Sequence, residues 1–221
     1  MKLSDNTVSV LKNYSTINQN LLINAGSTLT TMSAMKNIVA RATVTETFEK
    51  DVAIYDLNEF LAALSLFENP DLDFQDDFVM MGNEGSRKSL KYWYSDPSVV
   101  TTVTREITMP ECEVSFKFSD KELSDITKAA AVIGVPDMVL ENGSLRVTDK
   151  KNDTANHFAM EVDYVNAVET DHKFWFKVEN LKLMPGTYEV DVSKNKISNF
   201  KNSNVDIEYF IALEPESYYG K

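Results

Sequence analysis

Leu21-Leu22-Ile23-Asn24-Ala25-Gly26-Ser27 in the first half of the chain and Met138-Val139-Leu140-Glu141-Asn142-Gly143-Ser144 in the second half read alike. Each is a short apolar run of strand length that meets a Gly-Ser turn, after which Leu29 or Leu145 opens another strand. A helical stretch precedes each copy, around Leu11, Lys12 and Ile17 in the first and around Ile126 and Lys128 in the second. One supersecondary unit recurring half a chain apart predicts two similar domains. Such a chain suits a curved, symmetric assembly better than a cleft with a reaction in it.

Outward from the first copy, Val10, Leu11, Tyr14, Ile17 and Leu21 fall on one helix face over residues 4–20, with Ser4 as N-cap. Strands are expected at 21–25, 28–34, 38–46 and 51–55. Asp56 and Glu59 have the spacing of a capping box, and Leu57, Phe60, Leu61, Leu64 and Phe67 continue as a helix face up to Pro70. Strands follow at 72–74, 77–81 and 87–94. From Asp96 to Pro110 the β-branched residues and prolines predict an extended connector. The expected division is therefore 1–95, a connector 96–110, and 111–221.

The second domain opens with a strand, Val114–Phe118, and a capping box, Ser119 to Glu122. Leu123, Ile126, Ala130 and Ile133 form the helix stripe, which Gly134 and Pro136 end. Strands are expected at 137–141, 144–149, 157–165 and 173–178, a short helix over 179–184, and strands at 187–193, 197–201 and 205–214. The order helix, strands, helix, strands in each half is α+β with antiparallel sheets.

Composition bounds the function. The 221 residues carry 34 acidic against 22 basic side chains, a net charge of −12, which argues against a general nucleic-acid binder but leaves room for a small basic face. No apolar run approaches the roughly 20 residues that span a bilayer, and no signal-peptide core follows Met1, so a soluble cytoplasmic protein is expected. The single cysteine, Cys112, lies between Glu111 and Glu113, the wrong surroundings for a thiolate nucleophile. Neither GxxxxGK[ST] nor GxGxxG occurs. His157 and His172 read as ordinary strand histidines, and Asp71, Asp73, Asp76 and Asp77 lack the glycine and closing glutamate of a calcium loop. No catalytic constellation, metal site or cofactor site emerges. The residues alone lead to a duplicated, non-catalytic α+β protein; a virion or assembly component and a hydrolase with an unrecognised carboxylate pair stay as rivals.

Met1-Lys2-Leu3-Ser4, Leu11-Lys12-Asn13, Thr16-Ile17-Asn18, Asp51-Val52-Ala53-Ile54-Tyr55-Asp56-Leu57-Asn58, Phe60-Leu61 and Leu64-Ser65-Leu66 together resemble the sliding clamps of T-even-like tailed bacteriophages. Asn180 to Tyr188 and Ala212-Leu213-Glu214 extend the resemblance in register; it is dense in 1–18 and 51–66 and thin in 67–110 and 146–172. The resemblance implies a DNA polymerase processivity factor without enzymatic activity, acting in the host cytoplasm. Three two-domain subunits would close head to tail into a homotrimeric ring around duplex DNA, with helices lining the hole. A replicative polymerase, an ATP-driven clamp loader and late-transcription factors are the implied partners.

On that reading Lys2, Lys12, Lys121 and Lys128 are the candidate DNA-facing residues. Ala131 stands where the family tends to carry a further cation, so the inner surface is expected to be less basic. Val99, Val100, Leu213 and Pro215 are the candidate partner pocket. Leu90 and Tyr92 on the last strand of the first domain are expected to meet Met160 and Val162 of a neighbouring subunit.

Overall fold

The computed structural model describes residues 1–168 and 170–220. Two compact units divide it, Met1–Glu106 and Ile107–Lys221.

In the first unit, α1 (Asp5–Ile17) buries Thr7, Val10, Leu11, Tyr14 and Ile17, the stripe that its 3.6-residue period dictates. The Ser4 side chain accepts from the Thr7 N–H at 3.2 Å, and Asn18 stops the helix in an extended conformation. β1 (Leu21–Ile23) pairs antiparallel with β4 (Val52–Ile54), and β2 (Gly26–Met32) with β3 (Ile38–Phe48). Along β3 the buried positions alternate as Ala42, Val44, Glu46 and Phe48. Glu46 is the one carboxylate in that series. It lies under the first turn of α1, where the Ser4 N–H and the Thr7 hydroxyl both donate to it.

A helix N-terminus with unpaired N–H groups is the natural partner for a buried carboxylate. Burial works to raise the Glu46 pKa, but the bonds from Thr7 and Ser4 outweigh it and hold it below the ordinary 4.5. A depressed carboxylate contributes stability that is present above 4.5 and lost as pH falls through its folded value. Glu46→Gln is therefore expected to flatten the acid limb of the stability curve, and Glu46→Ala to cost about 1–2 kcal/mol at neutral pH. Urea midpoints at pH 7 and pH 4 test both. An unchanged acid limb in Glu46→Gln would remove the carboxylate from the account.

α2 (Leu57–Leu64) follows. Asp56 caps it through the N–H groups of Asn58 and Glu59 at 3.0 and 3.1 Å. Where a capping box would have Glu59 reach back, the structure adds a longer-range tie. The Gln19 amide donates to the other Asp56 oxygen at 2.9 Å, and the Leu57 N–H donates to the Gln19 carbonyl at 2.7 Å. The helix is shorter than its apolar pattern, because Leu66 and Phe67 turn tightly onto Ala63 and Leu64 before Asn69, at φ 49°, and Pro70. β5 (Asp71–Phe74), β6 (Phe78–Gly82) and β7 (Ser89–Trp93) form an antiparallel sheet in that order. Met1 closes the outer side of β5, exchanging bonds of 2.8 and 2.7 Å with Leu72. Asp96 then caps a 3-10 turn, Pro97–Val99, at the start of the segment expected to be wholly extended.

The second unit begins with β8 (Val114–Phe118) and α3 (Asp120–Ile133), whose capping box between Ser119 and Glu122 is complete in both directions. Gly134 ends the helix at φ 69°, a left-handed position that favours glycine. β9 (Asp137–Glu141) and β10 (Ser144–Thr148) are joined by Asn142 and Gly143 at φ 47° and 85°, the two positive angles of a tight hairpin turn. β11 (Phe158–Glu161) and β12 (His172–Lys177) complete the order β11-β10-β9-β12, with β16 (Tyr218–Tyr219) outside β12. β13 (Tyr188–Ser193), β14 (Ile197–Asn202) and β15 (Ile207–Ala212) give a second antiparallel run, β8-β13-β14-β15.

The second unit thus repeats the first element for element: α1-β1-β2-β3-β4-α2-β5-β6-β7 against α3-β9-β10-β11-β12-turn-β13-β14-β15. Even the Met1–Leu72 exchange has its counterpart in the pairing of β8 with β13. The helix expected over 179–184 is reduced to a 3-10 turn at Val178–Asn180. Pro185 disfavours helical dihedrals at Met184, and tyrosines satisfy the Met184 backbone instead: its N–H donates to the Tyr209 hydroxyl at 3.1 Å, and its carbonyl accepts from Tyr188 at 2.5 Å. The strand expected over 157–165 stops at Glu161, and β16 carried no expectation.

Candidate functional site

The exposed face of α1 is Asp5, Ser9, Lys12 and Thr16, so Lys12 is its only cation. On α3 the exposed residues include Lys121 and Lys128, two turns apart on one face, with half-buried Asp125 between them and exposed Ala131 and Val132 beyond. Lys12, Lys121 and Lys128 make no ion pair among the described residues and remain available to an anion. Lys2 differs. Its ammonium lies 3.8 Å from Asp71, both side chains half exposed, an arrangement worth little and easily exchanged for another anion. Lys2 and Lys12 belong to the first unit, Lys121 and Lys128 to the second.

Val99 is exposed on the 3-10 turn and Val100 buried beside it. In the second unit Leu213 is buried and donates its N–H to the Lys196 carbonyl at 2.9 Å, while the Lys196 ammonium donates to the carbonyl of exposed Pro215. These bonds hold the chain end that follows β15. Lys150 holds it as well, 2.8 Å from Glu214 and 3.0 Å from Glu216.

β7 and β11 each end a sheet, with one side of the backbone unpaired among the described residues. On β7, Leu90 and Tyr92 point to the half-buried face. Tyr92 packs edge-on against Phe60 and donates to the Asp56 carbonyl at 3.2 Å. Burial first, then the charges of Glu59 and Asp56, push its phenol up to about 12, so it stays a donor. The opposite face shows Ser89, Lys91 and Trp93, with the Lys91 ammonium 4.1 Å from the Phe78 ring centre and 5.1 Å from that of Trp93. On β11 and just past it, Met160 and Val162 turn inward and Glu161 and Asp163 outward. Taking alternate residues of the strand gives Leu90 and Tyr92, one face only, and leaves out Lys91, Trp93 and, on the other edge, Glu161. The strict alternation of SLKYW was the signal for the second face.

The cysteine, histidines and acidic cluster noted in the sequence take ordinary structural places. Burial, reinforced by Asp191, Glu113 and Glu111, pushes the Cys112 thiol up to about 11, away from thiolate. His172 is buried between the Tyr164 hydroxyl at 2.6 Å and the Thr170 carbonyl at 2.8 Å, so Nδ1 donates to Thr170 and Nε2 faces the tyrosine. His157 is exposed. Asp71 and Asp76 of the acidic cluster face Lys2 and Lys50, and no three metal-binding side chains converge among the described residues.

Two tandem units of helices on antiparallel sheets, with basic residues on helix faces and open strand edges, define the sliding-clamp class. Among solved structures the fold matches the proliferating cellular nuclear antigen of Entamoeba histolytica (TM-score 0.70, 15% identity, 96% of this chain and 97% of that one). It also matches a PCNA2–PCNA3 complex from Sulfolobus tokodaii (TM-score 0.71, 11% identity, 98% and 100%). Residues 3–93 fit the family model of the DNA polymerase processivity factor, and residues 114–215 that of the gp45 sliding clamp C-terminal domain. The sliding clamp of Vibrio phage KVP40 is 34% identical over 97% of this chain and 99% of its own length. The chain belongs to the sliding clamps of the T4-like phages, the DNA polymerase processivity factors.

Proposed function

We propose that this sliding clamp works as a closed homotrimer whose helix faces, through Lys12, Lys121 and Lys128 with Lys2 at the margin, surround duplex DNA. The observation that carries this is the set of three exposed lysines on α1 and α3 with no acidic partner, in a chain of net charge −12. Unpaired cations on rigid helices suit sequence-independent phosphate contact, and few of them suit a contact that slides. The surplus of carboxylates elsewhere would repel DNA from every other surface.

No chemistry is asked of the chain. A ring around the duplex keeps a bound polymerase near its template, so that rebinding becomes an intramolecular event at high effective concentration. The segments at Val99–Val100 and Leu213–Pro215 are the proposed docking elements for polymerase, clamp loader and late-transcription factors. Closure is proposed through the two open strand edges, Leu90 and Tyr92 of one subunit meeting Met160 and Val162 of the next. An interface between different surfaces that closes by rotation gives a ring.

Light scattering after size exclusion tests the assembly. A species of three 25.0 kDa chains is expected at high protein concentration. A monomer at every concentration would overturn the self-closing ring. Retention on nicked circular DNA and release on linearisation then tests encirclement.

A further inference from the structure

We infer that the two open edges meet in one antiparallel register, set by charge and side-chain size: Leu90 opposite Val162, Lys91 opposite Glu161, Tyr92 opposite Met160, and Trp93 opposite Ala159 of the neighbouring copy. This rests on the trimeric reading above and adds the residue pairing that selects the correct closure and makes it sensitive to salt.

The faces come first. Side chains alternate along a strand, so joining two sheets edge to edge requires inward positions to meet inward positions. On β7 the inward residues are Leu90 and Tyr92 and the outward ones Ser89, Lys91 and Trp93; near β11 the inward ones are Met160 and Val162, the outward ones Ala159, Glu161 and Asp163. Every register displaced by one residue would put Lys91 on the apolar side and is excluded. Registers displaced by two keep the faces, and charge and size decide among them. With Lys91 opposite Ala159, the cation faces a methyl group and Trp93 faces His157. With Lys91 opposite Asp163, Trp93 lies across Glu161. Only with Lys91 opposite Glu161 do the cation and the carboxylate pair while Trp93, 62% exposed in the single chain, covers the small Ala159.

The charges support the same choice. Arg87, Lys88 and Lys91 stand within five residues with no carboxylate among them, whereas Glu161 and Asp163 face outward on the opposing edge. None of these five makes an ion pair among the described residues, so each edge presents uncompensated charge of opposite sign. Two β7 edges, or two β11 edges, would bring like charges together, which is destabilising across a strand pair. The complementarity therefore favours head-to-tail closure over a two-fold dimer. Lys91 rests on the Phe78 and Trp93 rings, so its ammonium lies on the same outward face of the sheet as Trp93.

The test combines charge exchange with cross-linking. Lys91→Glu and Glu161→Lys should each weaken trimerisation about tenfold, and the double variant Lys91→Glu/Glu161→Lys should restore it. In a Cys112→Ser background, cysteines at 91 and 161 should oxidise to a covalent trimer, and pairs at 91/159 and 91/163 should not. A wild-type trimer that ignores both single reversals and cross-links equally well at 91/159 would overturn the register and leave the ring standing. A wild-type chain that never forms a trimer would instead overturn the ring itself.

Discussion

A chain carrying Lys12→Glu, Lys121→Glu and Lys128→Glu together is expected to lose measurable association with duplex DNA at about 0.1 M salt, while keeping its helicity and its trimer mass. The three α-helices hold only these three cations, against the five carboxylates Asp5, Glu59, Asp120, Glu122 and Asp125. The surface is close to balance before any change, and reversal leaves it uniformly acidic. All three lysines are exposed, so the folded chain should tolerate them well; exposed substitutions usually stay within about 0.5 kcal/mol. The alanine variant separates charge from topology. Its affinity should fall less, and the slope of log K against log salt should drop by about 0.9 for each lysine that sits on a phosphate. Residence on a closed circle should change little, since encirclement does not depend on any one contact. A salt slope identical to that of the parent would take these lysines off the DNA-facing surface.

What the sequence disclosed followed from which signals are local. The Gly-Ser echo, the Ser119–Glu122 box and the stripes of α1 and α3 each depend on residues within a few positions of one another, and all four are present in the fold. The echo extends further than its seven residues, to a full second copy of the element order. Where distant residues supplied the partner, local reading fell short. The cap of α2 is completed by Gln19, 37 positions from Asp56, and the backbone at Met184 is satisfied by Tyr209, 25 positions on. Glu46 read simply as a strand residue, because nothing near it in sequence announces the helix N-terminus that holds it. Helical period puts Lys12, Lys121 and Lys128 on polar faces, and all three are exposed; Lys2 precedes α1 and rests on the resemblance. The strand edges were half legible. Alternation separates the two faces of β7, but only sheet order shows that β7 and β11 have no outer neighbour among the described residues.

The largest loss of stability is expected at Asp137, a residue outside the candidate site. It is 1% exposed at the start of β9, and its carboxylate accepts from the Lys177 ammonium at 2.5 Å and from the Lys150 N–H at 3.0 Å. Lys177 also lies 3.9 Å from Glu214, and the Lys150 ammonium reaches Glu214 and Glu216. Removing one member of a buried pair leaves the other charge without compensation, which costs about 3–5 kcal/mol in full burial. Lys177 keeps partial solvent and a second carboxylate, so Asp137→Ala is expected to cost about 2–3 kcal/mol, read as a shift of the urea midpoint. The consequence extends along the chain. Glu214 and Glu216 stand in the segment that carries Leu213 and Pro215, and without Asp137 the Lys150 backbone and the Lys177 ammonium lose the acceptor that positions them toward those carboxylates. Hydrogen exchange should therefore quicken at Trp175 and Ser217, whose N–H to hydroxyl bond of 2.8 Å ties the same two elements. If the proposed docking reading holds, polymerase binding weakens in Asp137→Ala although Leu213 and Pro215 themselves are unchanged. The apolar replacement Asp137→Leu with Lys177→Met should recover most of the stability, because a buried ion pair exchanged for packed side chains is close to neutral. If the double variant is as unstable as Asp137→Ala, the backbone bond from Lys150, and not the ion pair, is what Asp137 is there to accept.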